Sequence, residues 1–177
     1  MSALVHFKIE VGSPIALEVD SYLMPIIRED SYGDDFIGAV GFRDPKDVRE
    51  LIKQSALNGD KGINIPNPIP DAKMKNAVVL FMDEQTKESD AYLAGFSIGR
   101  GVGCQSFGLT AFDVWLPGAA DQLAETLKKS VEELFKPAND DQVTIFGPVS
   151  IVCEDEFDGS LMHQAFGLAD IKSDDAR

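Results

Sequence analysis

Apolar and polar residues alternate from the start of the chain. Val5, Phe7, Ile9 and Val11 are interleaved with His6, Lys8 and Glu10, the period of a strand with one buried face. Gly12-Ser13-Pro14 signals a turn, after which Ile15, Leu17 and Val19 alternate with Ala16, Glu18 and Asp20. Residues 4–20 therefore read as a β-hairpin. Apolar runs at Phe36–Phe42, Ala77–Met82, Tyr92–Ile98 and Phe107–Leu116 read as further strands. Val143–Phe146 and Val149–Cys153 read as a last hairpin turning at Gly147-Pro148.

Two segments carry helical spacing. Asp44 is placed to cap a helix, Pro45 suits its first position and Asp47 its first turn. Val48, Leu51 and Ile52 supply its buried stripe, and Asn58-Gly59 its stop. The second helix opens after Pro117-Gly118, with Leu123, Leu127, Val131 and Leu134 along one face. Asp121 and Glu125 near its start and Lys128, Lys129 and Lys136 toward its end suit the helix dipole. Residues 60–75 read as a loop, because Pro66, Pro68 and Pro70 forbid a central strand and favour an extended connection. Ile63, Ile65 and Ile69 then have no strand to belong to. Residues 154–177 read as polar and irregular, apart from Leu161, Phe166 and Leu168.

These elements define an α+β fold class in one domain spanning 1–177, with a polar acidic C-terminal segment from about 154. The sheet is expected to be mainly antiparallel, of about six to eight strands, packed against two amphipathic helices. Strand 36–42 with Pro45 and Leu51 is echoed by strand 107–116 with Pro117 and Leu123. A duplicated strand–helix–strand–strand unit would leave that echo.

The chain of 177 residues, 44% apolar and 26% charged, is long and apolar enough to bury a core. Its 30 acidic against 16 basic residues give a formal charge of −14. Phosphate backbones and anionic membranes repel such a surface, which argues against nucleic-acid and membrane partners and favours another protein, a basic one. The acid is concentrated late in the chain, and Glu154, Asp155, Glu156 and Asp158 form the candidate partner-binding patch. Cys104 and Cys153 have apolar or small neighbours and no CxxC spacing, so they read as reduced thiols of a reducing compartment. No run approaches the roughly 20 apolar residues of a membrane span. The N-terminus has no basic segment followed by an apolar one. The expected location is cytoplasmic, and a homo-oligomer is compatible with all of this.

Candidate chemistry is sparse. Gly95-Phe96-Ser97-Ile98-Gly99 fits the G-x-S-x-G nucleophile elbow, with Ser97 as nucleophile, Asp158 as the acid and His163 as the base. That chemistry needs a tight strand-to-helix turn, yet the glycine-rich residues after Ser97 promise no helix, and Asp158 lies close to His163 in sequence. Gly99, Arg100, Gly101 and Gly103 form a candidate ligand-binding loop, whose backbone amides would cradle a phosphate while Arg100 adds charge. Arg100-Gly101-Val102-Gly103-Cys104-Gln105 resembles the acyl-CoA loop of GNAT acetyltransferases, departing from it at the last position. Glu154, Glu156, Asp158 and Gly159 match four places of a calcium loop, but Ala165 stands where its bidentate glutamate is required, so the segment reads as a solvated acidic turn. His6 and His163 lack metal-ligand spacing. No metal or cofactor is expected.

Each catalytic motif lacks its structural context. The sequence therefore favours a non-enzymatic, acidic partner-binding protein, such as an inhibitor, an immunity protein or an antagonist from a phage or mobile element. The alternative is a small enzyme or ligand-binding domain using Gly95–Gly103. A third reading is a structural subunit of a virion or homo-oligomeric assembly.

Overall fold

Two stretches of the chain, Ser21–Met24 and Ala77–Leu80, are buried residue after residue. A strand with one wet face buries every second residue. Continuous burial requires cover on both faces, as at the centre of a parallel sheet. The computed structural model describes residues 2–27, 50–51, 53–55, 57–67, 73–82, 86–135 and 143–167, and it contains that sheet. Its strands are β1 (Ser2–Val11), β2 (Val19–Ile27), β3 (Gly62–Pro66), β4 (Met74–Met82), β5 (Phe107–Thr110) and β6 (Val143–Cys153). They lie in the order β1-β6-β5-β2-β4-β3. Every neighbouring pair is parallel except β3 with β4.

Three helices follow strands: α1 (Glu88–Gly101), α2 (Ala119–Phe135) and α3 (Glu156–Phe166). α1 packs on β4, β3 and β2, and α3 on β1 and β6. α2 lies between, touching α1, α3 and β1, with Leu127 and Val131 buried as its spacing predicts. A further helical stretch ends at Leu57, where the Asn58 N–H reaches the Gln54 carbonyl at 3.1 Å and Gly59 takes a φ of +79°. The expected stop at Asn58-Gly59 is thus observed. The expected helix start at Asp44-Pro45, strand Phe36–Phe42, and Pro68, Ile69 and Pro70 lie outside the described residues. Among the described residues no helix is long and apolar enough to cross a membrane.

The mainly antiparallel sheet on two helices is overturned. Alternation tells which residues of a strand face the core, but not which strand lies alongside. β1 and β2 do not form a hairpin: β1 pairs with β6, and β2 with β4 and β5. Between them Pro14–Ala16 makes a 3-10 turn. The last hairpin is one strand, in which Gly147 and Pro148 bulge opposite His6, between the pairs Val5↔Phe146 and Phe7↔Val149. The expected strand Tyr92–Ile98 lies in α1, where Ala91, Tyr92, Gly95, Phe96 and Gly99 are buried at helical spacing. A short apolar run fits both periods, and here the helical one wins. Of 107–116 only Phe107–Thr110 is strand, so the echo that suggested duplication does not correspond to a repeated unit. The loop at 60–75 contains β3, bonded among the described residues only to β4; an edge tolerates Pro66, and Ile65 is buried there. The segment after Cys153 opens with a helix, because Asp155 accepts the Asp158 N–H at 2.8 Å as N-cap and Gly167 closes it at φ +67°.

Gly95 and Gly99 let α1 lie directly on the sheet. A Cβ on Gly95 would stand 2.9 Å from a Leu80 methyl, and one on Gly99 would enter the Phe107 ring. Gly99→Ala should therefore destabilise by a net of about 1 kcal/mol, overpacking of about 1–3 kcal/mol less about 1 kcal/mol of helix propensity. Urea denaturation measures it. A gain in stability would contradict the close contact.

Candidate functional site

Open α/β sheets place ligands outside the carboxyl ends of their strands, where neighbouring connections leave in opposite directions. The chain leaves β2 toward β3 and β4, and leaves β5 through α2 toward β6. The crevice so defined lies over β2 and β5. Its described wall comes from the β1 end, the loop 111–118 and the junction of β6 with α3. Ala111 N–H bonds the Val152 carbonyl at 2.9 Å and Gly12 N–H the Cys153 carbonyl at 3.0 Å, so both loops are anchored to β6. The hydroxyl of buried Tyr22 hydrogen-bonds Thr110, tying β2 to β5 below the crevice.

Two adjoining hollows share Thr110 and Phe112. The first, about 310 Å³, is lined also by Gly12, Pro14, Asp113, Trp115, Glu154 and Asp158. The second, about 230 Å³, adds Glu88, Tyr92, Gln122 and Leu123. Phe112 is 52%, Trp115 61% and Phe157 64% exposed. Scattered exposed apolar residues are ordinary, but large ones gathered around a hollow mark a binding surface. Asp113 has φ +52°, the one non-glycine among the described residues in the left-handed region. Such conformations persist where the surroundings over-determine them, and they gather at functional loops.

The first hollow is acidic. Asp113, Glu154 and Asp158 line it, and none of its described lining residues is a lysine, arginine or histidine. Asp158 is only 7% exposed, and among the described residues its carboxyl has no hydrogen-bond or ion-pair partner. Burial, then the charges of Asp155 and Asp113, hold that carboxyl above its ordinary range. A carboxyl raised in the folded state binds its proton more tightly there than in the unfolded chain. Its contribution to stability therefore falls as pH rises from the ordinary aspartate range through the raised value. Asp158→Asn should stabilise the protein at pH 7, with the gain vanishing below about pH 3, where both states are protonated. Denaturation at the two pH values checks this; a loss at pH 7 would assign the carboxylate a stabilising partner.

Cys153, at the end of β6, is buried and unpaired. Burial, then Asp158 and Asp155, push its thiol up to about 11. Cys104 is also free and is raised by burial, then by Asp20. Both thiols stay protonated near neutrality, so neither is a ready nucleophile.

The structure does not assemble the other sequence candidates. Ser97 is exposed on α1, whereas Asp158 and His163 belong to α3, about 140° apart around it. Gly99 and Gly101 are α1 residues, Gly103 follows at φ +88°, and the Arg100 guanidinium lies over the Phe135 ring at 4.8 Å. This is a helix C-terminus leading into the start of β5, at the amino end of that strand and away from the crevice at its carboxyl end. Arg100 and Gly103 line a separate hollow of about 510 Å³ there, with Cys104, Gln105, Phe135 and Phe146. Glu154 and Asp158 line the crevice, while Asp155 caps α3 and Glu156 is exposed at its start. Phe112, Asp113 and Trp115 were missed. One signal was available: alternation through 107–116 puts Trp115 on the same side as Asp113, an odd place for a core residue.

Together, the sheet order and the crevice define a macrodomain-like α/β fold. The chain is similar to a macrodomain of Oceanobacillus iheyensis solved with ADP, at TM-score 0.66 and 11% identity over 93% of this chain and 91% of that one. It is similar to a Trypanosoma brucei macrodomain in complex with ADP-ribose, at TM-score 0.61 and 13% identity over 90% of this chain and 68% of that one. The Thermus aquaticus DarG macrodomain matches at TM-score 0.53 and 9% identity over 85% of this chain and 99% of that one. No family model and no curated protein matches the sequence. The fold overturns the expected inhibitor, immunity-protein or phage-antagonist role and the basic protein partner that went with it. Net charge speaks to solubility and association, not to fold. The finding favours the alternative, a ligand-binding domain or enzyme, but places its crevice away from Gly95–Gly103.

Proposed function

We propose that the crevice over β2 and β5 binds a nucleotide of the ADP or ADP-ribose kind. The observation that carries the reading is a hollow at the strand ends, where connections part, lined by Phe112 and Trp115 with Phe157 beside Asp158. Aromatic faces stack on bases, each contact being worth about 1–3 kcal/mol. The two hollows together reach the usual size of ligand sites, about 300–1,000 Å³. The Oceanobacillus iheyensis structure with ADP and the Trypanosoma brucei complex with ADP-ribose support that ligand class. Unpaired Cys104 and Cys153 support a reducing, cytoplasmic setting.

Trp115 is the only tryptophan of the chain and lines the hollow, so it reports directly. Titration with ADP-ribose should change its fluorescence saturably. At a hundred times Kd the ligand should add about 2.7 kcal/mol of stability, raising Tm by roughly 5–10 °C. The absence of both responses at millimolar ADP and ADP-ribose would overturn the reading.

A further inference from the structure

The first hollow is built for the opposite charge to a phosphate. Asp113 reaches it from the loop after β5, Glu154 from the end of β6 and Asp158 from α3. Among the described residues no cationic side chain lines it. Asp158, 7% exposed overall, has no partner among the described residues, and like-charged Asp155 and Asp113 stand near it, so a cation at its carboxylate would relieve repulsion. The same hollow presents Phe112 and Trp115, and aromatic faces attract cations, the more so when water is excluded. Acid and aromatic surface converge on one space for a flat ring.

We propose that the ligand selected here is a nucleotide carrying a flat, delocalised cation of pyridinium or guanidinium type, which enters the hollow lined by Asp113 and Asp158 and lies against Trp115. The cation preference rests on the nucleotide reading above. The cation neutralises carboxylates that otherwise repel one another and the phosphates of the same ligand. A neutral or anionic group in its place leaves that repulsion standing.

NAD+ and NADH share one skeleton and differ in the charge of the nicotinamide ring, so they isolate the effect. Calorimetric titration at low salt should find NAD+ at least about ten-fold tighter than NADH, about 1.4 kcal/mol. The ratio should narrow with added salt, as a charge effect does. It should approach one in both Asp158→Asn and Asp113→Asn, which retain side-chain shape and, at position 113, tolerance of the left-handed backbone. ADP-ribosyl-agmatine against ADP-ribose tests the guanidinium source in the same way. Preference for either cationic member of its pair supports the proposal and names the source. Equal affinities within both pairs, or a ratio that persists in both variants, overturn it while leaving the nucleotide reading intact. Absence of binding by all four ligands overturns that reading as well.

Discussion

Phe96→Ala is expected to cost about 3–5 kcal/mol of folding stability and to lower Tm by roughly 10 °C. Phe96 is fully buried on α1. Its ring stands edge-on to Phe107 of β5 at 5.2 Å and to Phe146 of β6 at 5.4 Å between centroids. Removing it opens a void between one helix and two strands. The helix cannot sink to fill it, because Gly95 and Gly99 already hold the α1 backbone against Leu80 and Phe107. Partial relaxation is what moderates such losses, so the cost lies high in its range. Ser97→Ala is the matching control. Ser97 is exposed next door, and its loss should change stability by less than about 0.5 kcal/mol. Nucleotide binding should also be unaffected, whereas a nucleophile elbow at Ser97 would predict otherwise. Comparable costs at 96 and 97 would contradict the helical face described for α1.

Trp115→Ala should weaken ADP-ribose binding by about 1–3 kcal/mol, roughly 5- to 150-fold, the worth of one base stacked on one aromatic face. Stability should hardly move, because Trp115 is 61% exposed and its loop is anchored by the backbone through Ala111. That separation of affinity from stability distinguishes a ligand contact from a structural one. Trp115→Phe keeps an aromatic face and should retain most of the affinity. Calorimetry is the measurement of choice, since the variant loses the fluorescent reporter. Unaltered affinity in Trp115→Ala would move the nucleotide elsewhere.

Much of the local structure was legible in the chain. α2 follows from Leu123, Leu127 and Val131 on one stripe after Pro117-Gly118, because a helix that buries one face must repeat at that period. β4 follows from an uninterrupted apolar run, and the helix stop from Asn58-Gly59. The apolar run in α1 was ambiguous, since Tyr92 and Phe96 with Gly95 and Gly99 satisfy a helix while Tyr92–Ile98 is short enough for a strand. The glycines that looked like a phosphate loop are packing residues or the end of a helix. Nothing local distinguishes these roles, because the difference lies in Leu80 and Phe107 across the interface.

By itself the sequence determined an acidic chain of mixed helices and strands, its main amphipathic helix, the positions of β1, β4 and β6, and two apolar-flanked cysteines. Those properties depend on neighbours along the chain, through periodicity, capping and turn chemistry. Only the tertiary structure decided that β1 lies beside β6 and β2 between β4 and β5, and hence that most of the sheet is parallel. It alone brought Gly12, Asp113, Trp115, Glu154 and Asp158 to one hollow. Pairing and convergence join residues tens to more than a hundred positions apart. They are set by which apolar faces cover one another, which no local pattern records.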